Sequence, residues 1–433
     1  MKPSLASIIQ KLAIILLCGA AGAQALMAQA QSGRGFAPQR RMGHAIGDQW
    51  EPAMAADAHG HIYIFFPQYG PVNGCPSCTV PTMLLTVSDD DGSTWRAPQP
   101  LLISATGQFD AQIKVDPVDH QTLYASWMQG RHDIVVARSQ DFGRSWYFAI
   151  AEHSPDVLID KPVLAVRGAN IYVSFNHDQT LSVASSHDYA QNFSSTVLNP
   201  GAGPGWSLAA GATVDSAGNV YFSWTSYPRT NLLTQPVELF ISQSADGGRT
   251  WNTTAMDTSS AAPGCAAQAC SAGFLGSQMA MTSDDAGSVY ALWNSGSAAG
   301  GPQRIYFSSS TTAGASWSPK TDVSSANDGV EHCFPAITAG AAGDVRIAWM
   351  DTRNAPLWNV FERSSSNGGA TWSPESQLSG PVRGYDYILP NGFLFPFGNL
   401  FSIAIDSLDS TNVVWGEGRD YKAPGSIWYT RGR

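Results

Sequence analysis

One octapeptide recurs along this chain, and its recurrence restricts the fold more than any other feature. Ser88–Trp95 (SDDDGSTW), Ser139–Trp146 (SQDFGRSW) and Ser244–Trp251 (SADGGRTW) share the pattern S-x-D-x-G-x-x-W. Three variants follow it with substitutions: SHDYAQNF at 186–193, STTAGASW at 310–317 and SSNGGATW at 365–372. Asp or Asn at the third position folds its side chain back onto nearby N–H groups. Glycine at the fifth supplies positive φ for a reversing chain, and Trp at the eighth starts the return strand with a large apolar plate. A single copy is a hairpin; six copies are a repeat protein.

A strand-like run precedes each octapeptide, for example Met83–Val87, Asp133–Ala137 and Arg304–Phe307. Upstream lies a second recurring strand with a Gly/Asn/Asp turn before it, seen in His61–Phe66, Thr122–Trp127, Asn219–Trp224, Ser288–Trp293 and Asp344–Trp349. It occurs in seven copies, the last at Asn412–Trp415, and a short apolar strand comes before it. The unit is therefore four strands, a-b-c-d, with the octapeptide at the c–d hairpin. Octapeptides begin at 88, 139, 186, 244, 310 and 365. Repetition of four strands at roughly 40–50 residues, with insertions, predicts an all-β propeller.

Seven blades is the expected count, with six the alternative if one unit is an insertion. The last unit ends in Ser426–Thr430, which matches strand c and leaves no strand d. Phe36–Ala45 can supply it, so strands from both termini are expected to close the ring and remove the open edges.

Residues 1–30 read as an export signal. Lys2 and Lys11 flank a short apolar run, Leu12–Ala21, and Ala28-Gln29-Ala30 offers a cleavage site. Residues 31–433 then form one propeller domain, exported to the periplasm or secreted. No later apolar run suffices for a membrane helix. With a formal net charge of −10 and no basic runs, the composition argues against nucleic acid as a partner. A monomer is expected. Cys75 and Cys78 share one loop, and Cys265 and Cys270 another; each pair is expected to close a disulfide in an exported chain, with redox or zinc chemistry as the rival uses. No metal site or cofactor is called for.

The octapeptides resemble the Asp-boxes, or BNR repeats, of the sialidase superfamily, and the resemblance spans the mature chain. It implies a structural role for Asp90, Asp141, Asp188, Asp246 and Asn367 away from any catalytic centre. It also implies a glycan or glycoconjugate as partner and, in the active members, exo-α-sialidase-like glycoside hydrolysis. The family's Arg-Ile-Pro element, whose Arg grips a sugar carboxylate, corresponds here to Gln49-Trp50-Glu51-Pro52-Ala53. Arg-Ile-Pro is thus absent, and Trp50 stands in the place of Arg.

Topology locates a functional face independently. The b–c and d–a loops collect at the end opposite the octapeptides. Three b–c loops carry W-x-[DEQ]-x-R, ending in Arg131, Arg353 and Arg419. These are either a guanidinium clamp for a carboxylate or a repeated Arg–carboxylate brace, with Asp351 and Glu417 as partners. On the same face, Asp110 is the candidate general acid, and Tyr385 with Glu331 a candidate Tyr–Glu nucleophilic pair. Trp50, Trp206, Trp358 and Tyr227 are candidates for stacking on sugar rings. The expected function is an exported sialidase-like hydrolase acting on an acidic or decorated glycan. The alternative is a non-catalytic glycan- or protein-binding propeller.

Overall fold

The computed structural model describes residues 35–43, 46–200, 205–228, 236–263, 276–354, 357–380, 401–417 and 425–433. They form seven antiparallel sheets of a propeller, six with four strands and one with an added short strand. Blade 2 is typical, running Gln108–Val115 (a), Leu123–Gln129 (b), Asp133–Ser139 (c) and Tyr147–His153 (d). Seven blades, not six, is therefore the count.

The ring closes between the termini. In blade 7, Ser402–Ile405, Thr411–Glu417 and Ser426–Gly432 are strands a, b and c, and Arg40–Arg41 supplies strand d. Arg40 pairs with Tyr429 and Arg41 with Trp428, so the last sheet has no unpaired strand c.

The inner strands read as continuous apolar runs because both of their faces are covered. In strand b of blade 1 (Ile62–Tyr69), Tyr63 and Phe65 pack toward blade 2, while Ile62, Ile64 and Phe66 pack toward blade 7. Seven such inter-blade clusters make up the core. Trp127, Trp293, Trp349 and Trp415, from equivalent places in strand b, are fully buried within them. These indoles fix the spacing between blades.

The octapeptide hairpins share one hydrogen-bond scheme. Asp141 Oδ1 accepts from the Ser145 amide at 2.8 Å and from the Ser139 hydroxyl at 2.8 Å, and Ser139 Oγ accepts from the Gly143 amide at 2.9 Å. Asp90, Asp188, Asp246 and Asn367 repeat the bond to the amide four residues on. In the fifth copy Thr312 Oγ1 takes that role toward Ser316 at 2.9 Å. Two successive residues adopt positive φ in these turns, not glycine alone: Phe142 at 60° and Gly143 at 77°. In the third copy Ala190 stands in the glycine's place at 65°.

A second aspartate marks the a–b turns at the same end. Asp215 Oδ1 accepts the amides of Ala217 and Asn219, and its Oδ2 accepts the Tyr221 hydroxyl at 2.8 Å. Asp57 and Asp284 repeat this with Tyr63 and Tyr290. Both turns at this end are thus capped by carboxylates, which leaves the opposite end for other chemistry.

Candidate functional site

Strand a lines the central axis, and in several blades it enters through a β-bulge. In blade 2 the pairing slips between Phe109 and Gln112, in blade 3 between Asp160 and Val163, and in blade 6 between Cys333 and Ala336. Blade 1 does the same between Gln49 and Ala53. The residue at each bulge adopts a left-handed backbone although none is glycine: Glu51 at φ 50°, Asp110 at 58°, Lys161 at 52° and Phe334 at 54°. The residues that follow are Pro52, Ala111, Pro162 and Pro335. Proline has no N–H for the ladder and is tolerated at bulges, so the sequence itself sets the interruption. A bulge re-aims its side chain, and strained non-glycine residues gather at functional sites.

Three of these side chains meet. Lys161 Nζ lies 2.5 Å from Asp110 Oδ1 and 3.1 Å from Glu51 Oε1. Asp160 lies beside Asp110, whose charge adds to the rise in its proton affinity. Glu51 and Asp110 are almost fully buried, and Lys161 retains slight exposure. Blades 1, 2 and 3 therefore contribute three carboxylates to a single ammonium near the start of strand a.

Burial dominates the proton affinities there. It raises Glu51 to about 7, against the lowering effect of Lys161 and with a further push from Asp110. It raises Asp160 to about 6, with Asp110 adding to the push. For Lys161 the surrounding carboxylates outweigh burial and hold the amine above its ordinary value. The Tyr69 hydroxyl is pushed well up, first by burial and then by Glu51, while Arg131 opposes the rise. The site thus holds a carboxyl that burial makes easier to protonate, a fixed ammonium and a protonated phenol.

Beneath it runs an axial cavity of about 100 Å³, lined by strands a from Pro52 round to Phe401. That volume suits about three waters and no sugar ring. A glycan would therefore have to engage the site from the mouth.

Of the residues named from the sequence, Asp110 lies in this cluster. Arg131 stands at its rim, exposed, with its own backbone at φ 64°. Glu331 lies elsewhere, in blade 6 against blade 5: its Oε2 accepts the Gln303 amide at 2.6 Å, and burial raises it to about 8. Among the described residues no contact joins it to Asp110. Arg353 is fully engaged. Its Nη2 meets Asp351 Oδ2 at 2.6 Å, its Nη1 meets Glu375, and its guanidinium lies 3.7 Å over the Phe361 ring. It has no free edge for a ligand. Tyr385, Arg419, Cys265, Cys270 and the segment 1–30 lie outside the described residues. Cys75 and Cys78 are joined by a disulfide, and Cys333 is a buried free thiol.

Trp50 is completely buried, and its ring fills the space that a side chain at Gly425 would need, 1.9 Å from that Cβ. The position at which the resemblance would set an arginine is thus taken by packing between blades 1 and 7. Trp358 and Tyr227 are likewise buried, so neither offers a stacking face.

Sequence reasoning missed Glu51 and Tyr69 as site residues. The usable signal was the residue before proline or alanine at the head of strand a, namely Glu51-Pro52, Asp110-Ala111 and Lys161-Pro162.

No family model matches the chain, and no curated protein matches it. Solved structures share its fold. An ulvan lyase of polysaccharide lyase family PL25 superposes with a TM-score of 0.51 at 12% identity, over 90% of this chain and 95% of its own. A Dyadobacter fermentans protein of unknown function gives 0.49 at 13%, over 91% and 98%. The intramolecular trans-sialidase from Ruminococcus gnavus gives 0.47 at 12%, over 90% and 97%. At such identities the likeness is one of fold. Among the described residues, no helix is long and apolar enough to cross a membrane.

Proposed function

We propose that this chain is an exported glycoside hydrolase acting on an anionic glycan, with the Glu51–Asp110–Asp160–Lys161 cluster as its catalytic centre. The observation that carries the proposal is the gathering of charged side chains from three blades, with Glu51, Asp110 and Lys161 held on left-handed bulges and with burial raising Glu51 to about 7 and the neighbouring Asp160 to about 6. A general acid serves best when its pKa lies near the working pH. Glu51, whose carboxyl burial makes easier to protonate, donates to the glycosidic oxygen. Asp110, sharing the same ammonium, sits too close for the ~6.5–9.5 Å carboxyl separation of inverting enzymes, and the arrangement suits the ~5 Å retaining geometry. It attacks the anomeric carbon, and water then releases the sugar as Glu51 takes the proton back. Arg131 at the rim meets the anionic substituent.

The ulvan lyase of the same fold, seen bound to -[GlcA(1-4)Rha3S]-, supports the substrate class and fixes no residue here. The packing of Trp50 removes the family's carboxylate-gripping arginine, so the proposal is an anionic-glycan hydrolase in the wider sense. The depth of Glu51 and Asp110 favours one rival, a non-catalytic glycan-binding propeller whose cluster only clamps three blades together.

The deciding assay is reducing-end release from ulvan, pectate, alginate and sialylated glycans by residues 31–433. Turnover is expected to fall ~10²–10⁴-fold in Glu51→Gln, without formation of the unsaturated uronate chromophore that a lyase leaves. Equal turnover by Glu51→Gln, or none by the parent on any substrate, would leave the clamp reading.

A further inference from the structure

The central channel carries charge beyond the axial cluster. Strand a of blade 2 continues past Asp110 to Lys114, which lines the axial cavity and also a second cavity of about 180 Å³ toward the octapeptide end. Four residues of strand set Lys114 at most ~13 Å from Asp110. Arg167 ends strand a of blade 3 (Ile159–Arg167) and lines the second cavity as well. The two strand ends are fastened together there, the Gly168 amide donating to Asp116 Oδ1 at 2.8 Å.

Neither cation has an ion-pair or hydrogen-bond partner among the described residues. Elsewhere in the ring partly buried cations are neutralised, Lys320 by Asp257 at 2.7 Å, Arg346 by Asp344 at 2.9 Å and Arg353 by Asp351 at 2.6 Å. A lysine inside a protein is ordinarily paired. Lys114 is exposed to solvent, yet burial lowers its amine below the ordinary value, because the solvent it meets is channel water enclosed by strands a. Two carboxylates line the same cavity. Asp284 is spent on its own turn, accepting the Ser288 amide at 2.9 Å and the Tyr290 hydroxyl at 2.7 Å. Asp285 is exposed. Two unpaired cations thus face one available carboxylate, in a chain whose formal net charge is −10. The hydroxyls of Thr213 and Ser283, 2.8 Å apart, add neutral donors to the wall.

We infer that this end of the channel binds a small inorganic oxyanion, sulfate or phosphate, held by the Lys114 ammonium and the Arg167 guanidinium. The cavity has room for about six waters, which suits a tetrahedral ion with its remaining hydration and excludes an oligosaccharide. The ammonium supplies a point charge and the guanidinium a planar fork of donors that matches oxyanion geometry. Walls of low dielectric strengthen both attractions. The bound ion neutralises the channel and ties the ends of two neighbouring inner strands. The inference goes beyond the axial proposal and does not rest on it.

The test is calorimetry on residues 31–433 with sodium sulfate, sodium phosphate and glucose 6-sulfate at fixed ionic strength. Sulfate or phosphate is expected to bind once per chain, with affinity reduced about tenfold or more in Lys114→Met and by a smaller factor in Arg167→Gln. Asp285→Asn removes the opposing charge and is expected to tighten binding about three- to fivefold, a gain that misfolding cannot produce. Three results would overturn the inference: no binding of either free ion, affinity unchanged in Lys114→Met or in Asp285→Asn, or binding of the sugar ester alone.

Discussion

The two ends of the propeller use the same carboxylates in opposite ways. At the hairpin end, Asp141 is exposed to water and surrounded by donors: the Ser145 amide at 2.8 Å, the Ser145 hydroxyl at 2.6 Å and the Ser139 hydroxyl. These bonds favour the ionised form and lower it to about 2. At the axial end, Glu51 has a lysine partner at 3.1 Å, yet burial raises it to about 7. An ammonium beside a carboxylate therefore does not guarantee a low pKa. What decides is whether hydrogen-bond donors or lost solvation dominates. The hairpin carboxylates are held in the charged form by the donors of their own turn, whereas burial makes Glu51 and Asp160 easier to protonate.

The largest test of this contrast removes the shared ammonium. Lys161→Met leaves Glu51, Asp110 and Asp160 buried around an apolar chain. Loss of one partner from a buried ion cluster costs ~3–5 kcal/mol, and denaturant unfolding is expected to show a loss of that order. A loss below about 1 kcal/mol at neutral pH would mean that the cluster is solvated and is not the strained centre described above.

The pH dependence of stability separates the two ends further. Glu51 binds its proton more tightly in the fold, at about 7, than in the unfolded chain near its ordinary 4.5. Between those values the folded state holds more protons, so its stability falls as pH rises through that window. Asp160 acts in the same direction between 3.8 and about 6. Asp141 acts oppositely: its contribution is present above 3.8 and is lost as pH falls toward 2. Glu51→Gln is expected to make the unfolding free energy fall less steeply as pH rises from 4.5 to 7, and Asp141→Asn to make it fall less steeply as pH drops below 4. Identical pH profiles for the two variants would erase the distinction between the ends.

The two ends were also unequally legible. The hairpins are local, with every donor and acceptor of the shared scheme inside eight residues; their six copies marked a propeller, the seven copies of strand b gave seven blades, and the ring expected to close through Phe36–Ala45 does so at Arg40–Arg41. The axial cluster draws on residues 51, 110, 160 and 161, which become neighbours only when the ring closes. Burial, the main cause of their shifted protonation, is a property of that closure and has no local signature. The arginine repeat shows the middle ground. Asp351, inside the same pentapeptide, captures Arg353, whereas Gln129 holds the corresponding place before Arg131, which remains exposed at the rim. The difference of one side chain was readable in the sequence. Its consequence depended on Glu375 and Phe361, which no spacing rule places beside Arg353.

A smaller effect is expected at the hairpin itself. Asp141→Ala removes the bonds to Ser145 and Ser139 at the protein surface, and hydrogen bonds of this kind contribute ~0.5–1.5 kcal/mol net. A loss of about 1–2 kcal/mol is expected, measured as a shift in the denaturant midpoint with an unchanged m-value. Turnover at the axial site is expected to remain at the parent level. A fall in turnover would couple the ends and break the division of labour between them.

The smallest effect concerns the turn's glycine. Gly143 sits at φ 77°, where an L-residue costs ~1–2 kcal/mol. A Cβ built there meets nothing closer than Leu123 Cδ1 at 3.6 Å, an ordinary contact, so no clash adds to the cost. Alanine also restricts the unfolded chain, which returns ~0.4–1 kcal/mol. Gly143→Ala is therefore expected to lower stability by no more than about 1.6 kcal/mol. The chain already carries this solution in its third hairpin, where Ala190 occupies the same place at φ 65° and is buried. A loss well above 2 kcal/mol would show that Gly143 answers to packing against blade 1 and not to backbone conformation alone, and the six turns could then no longer be treated as one device repeated.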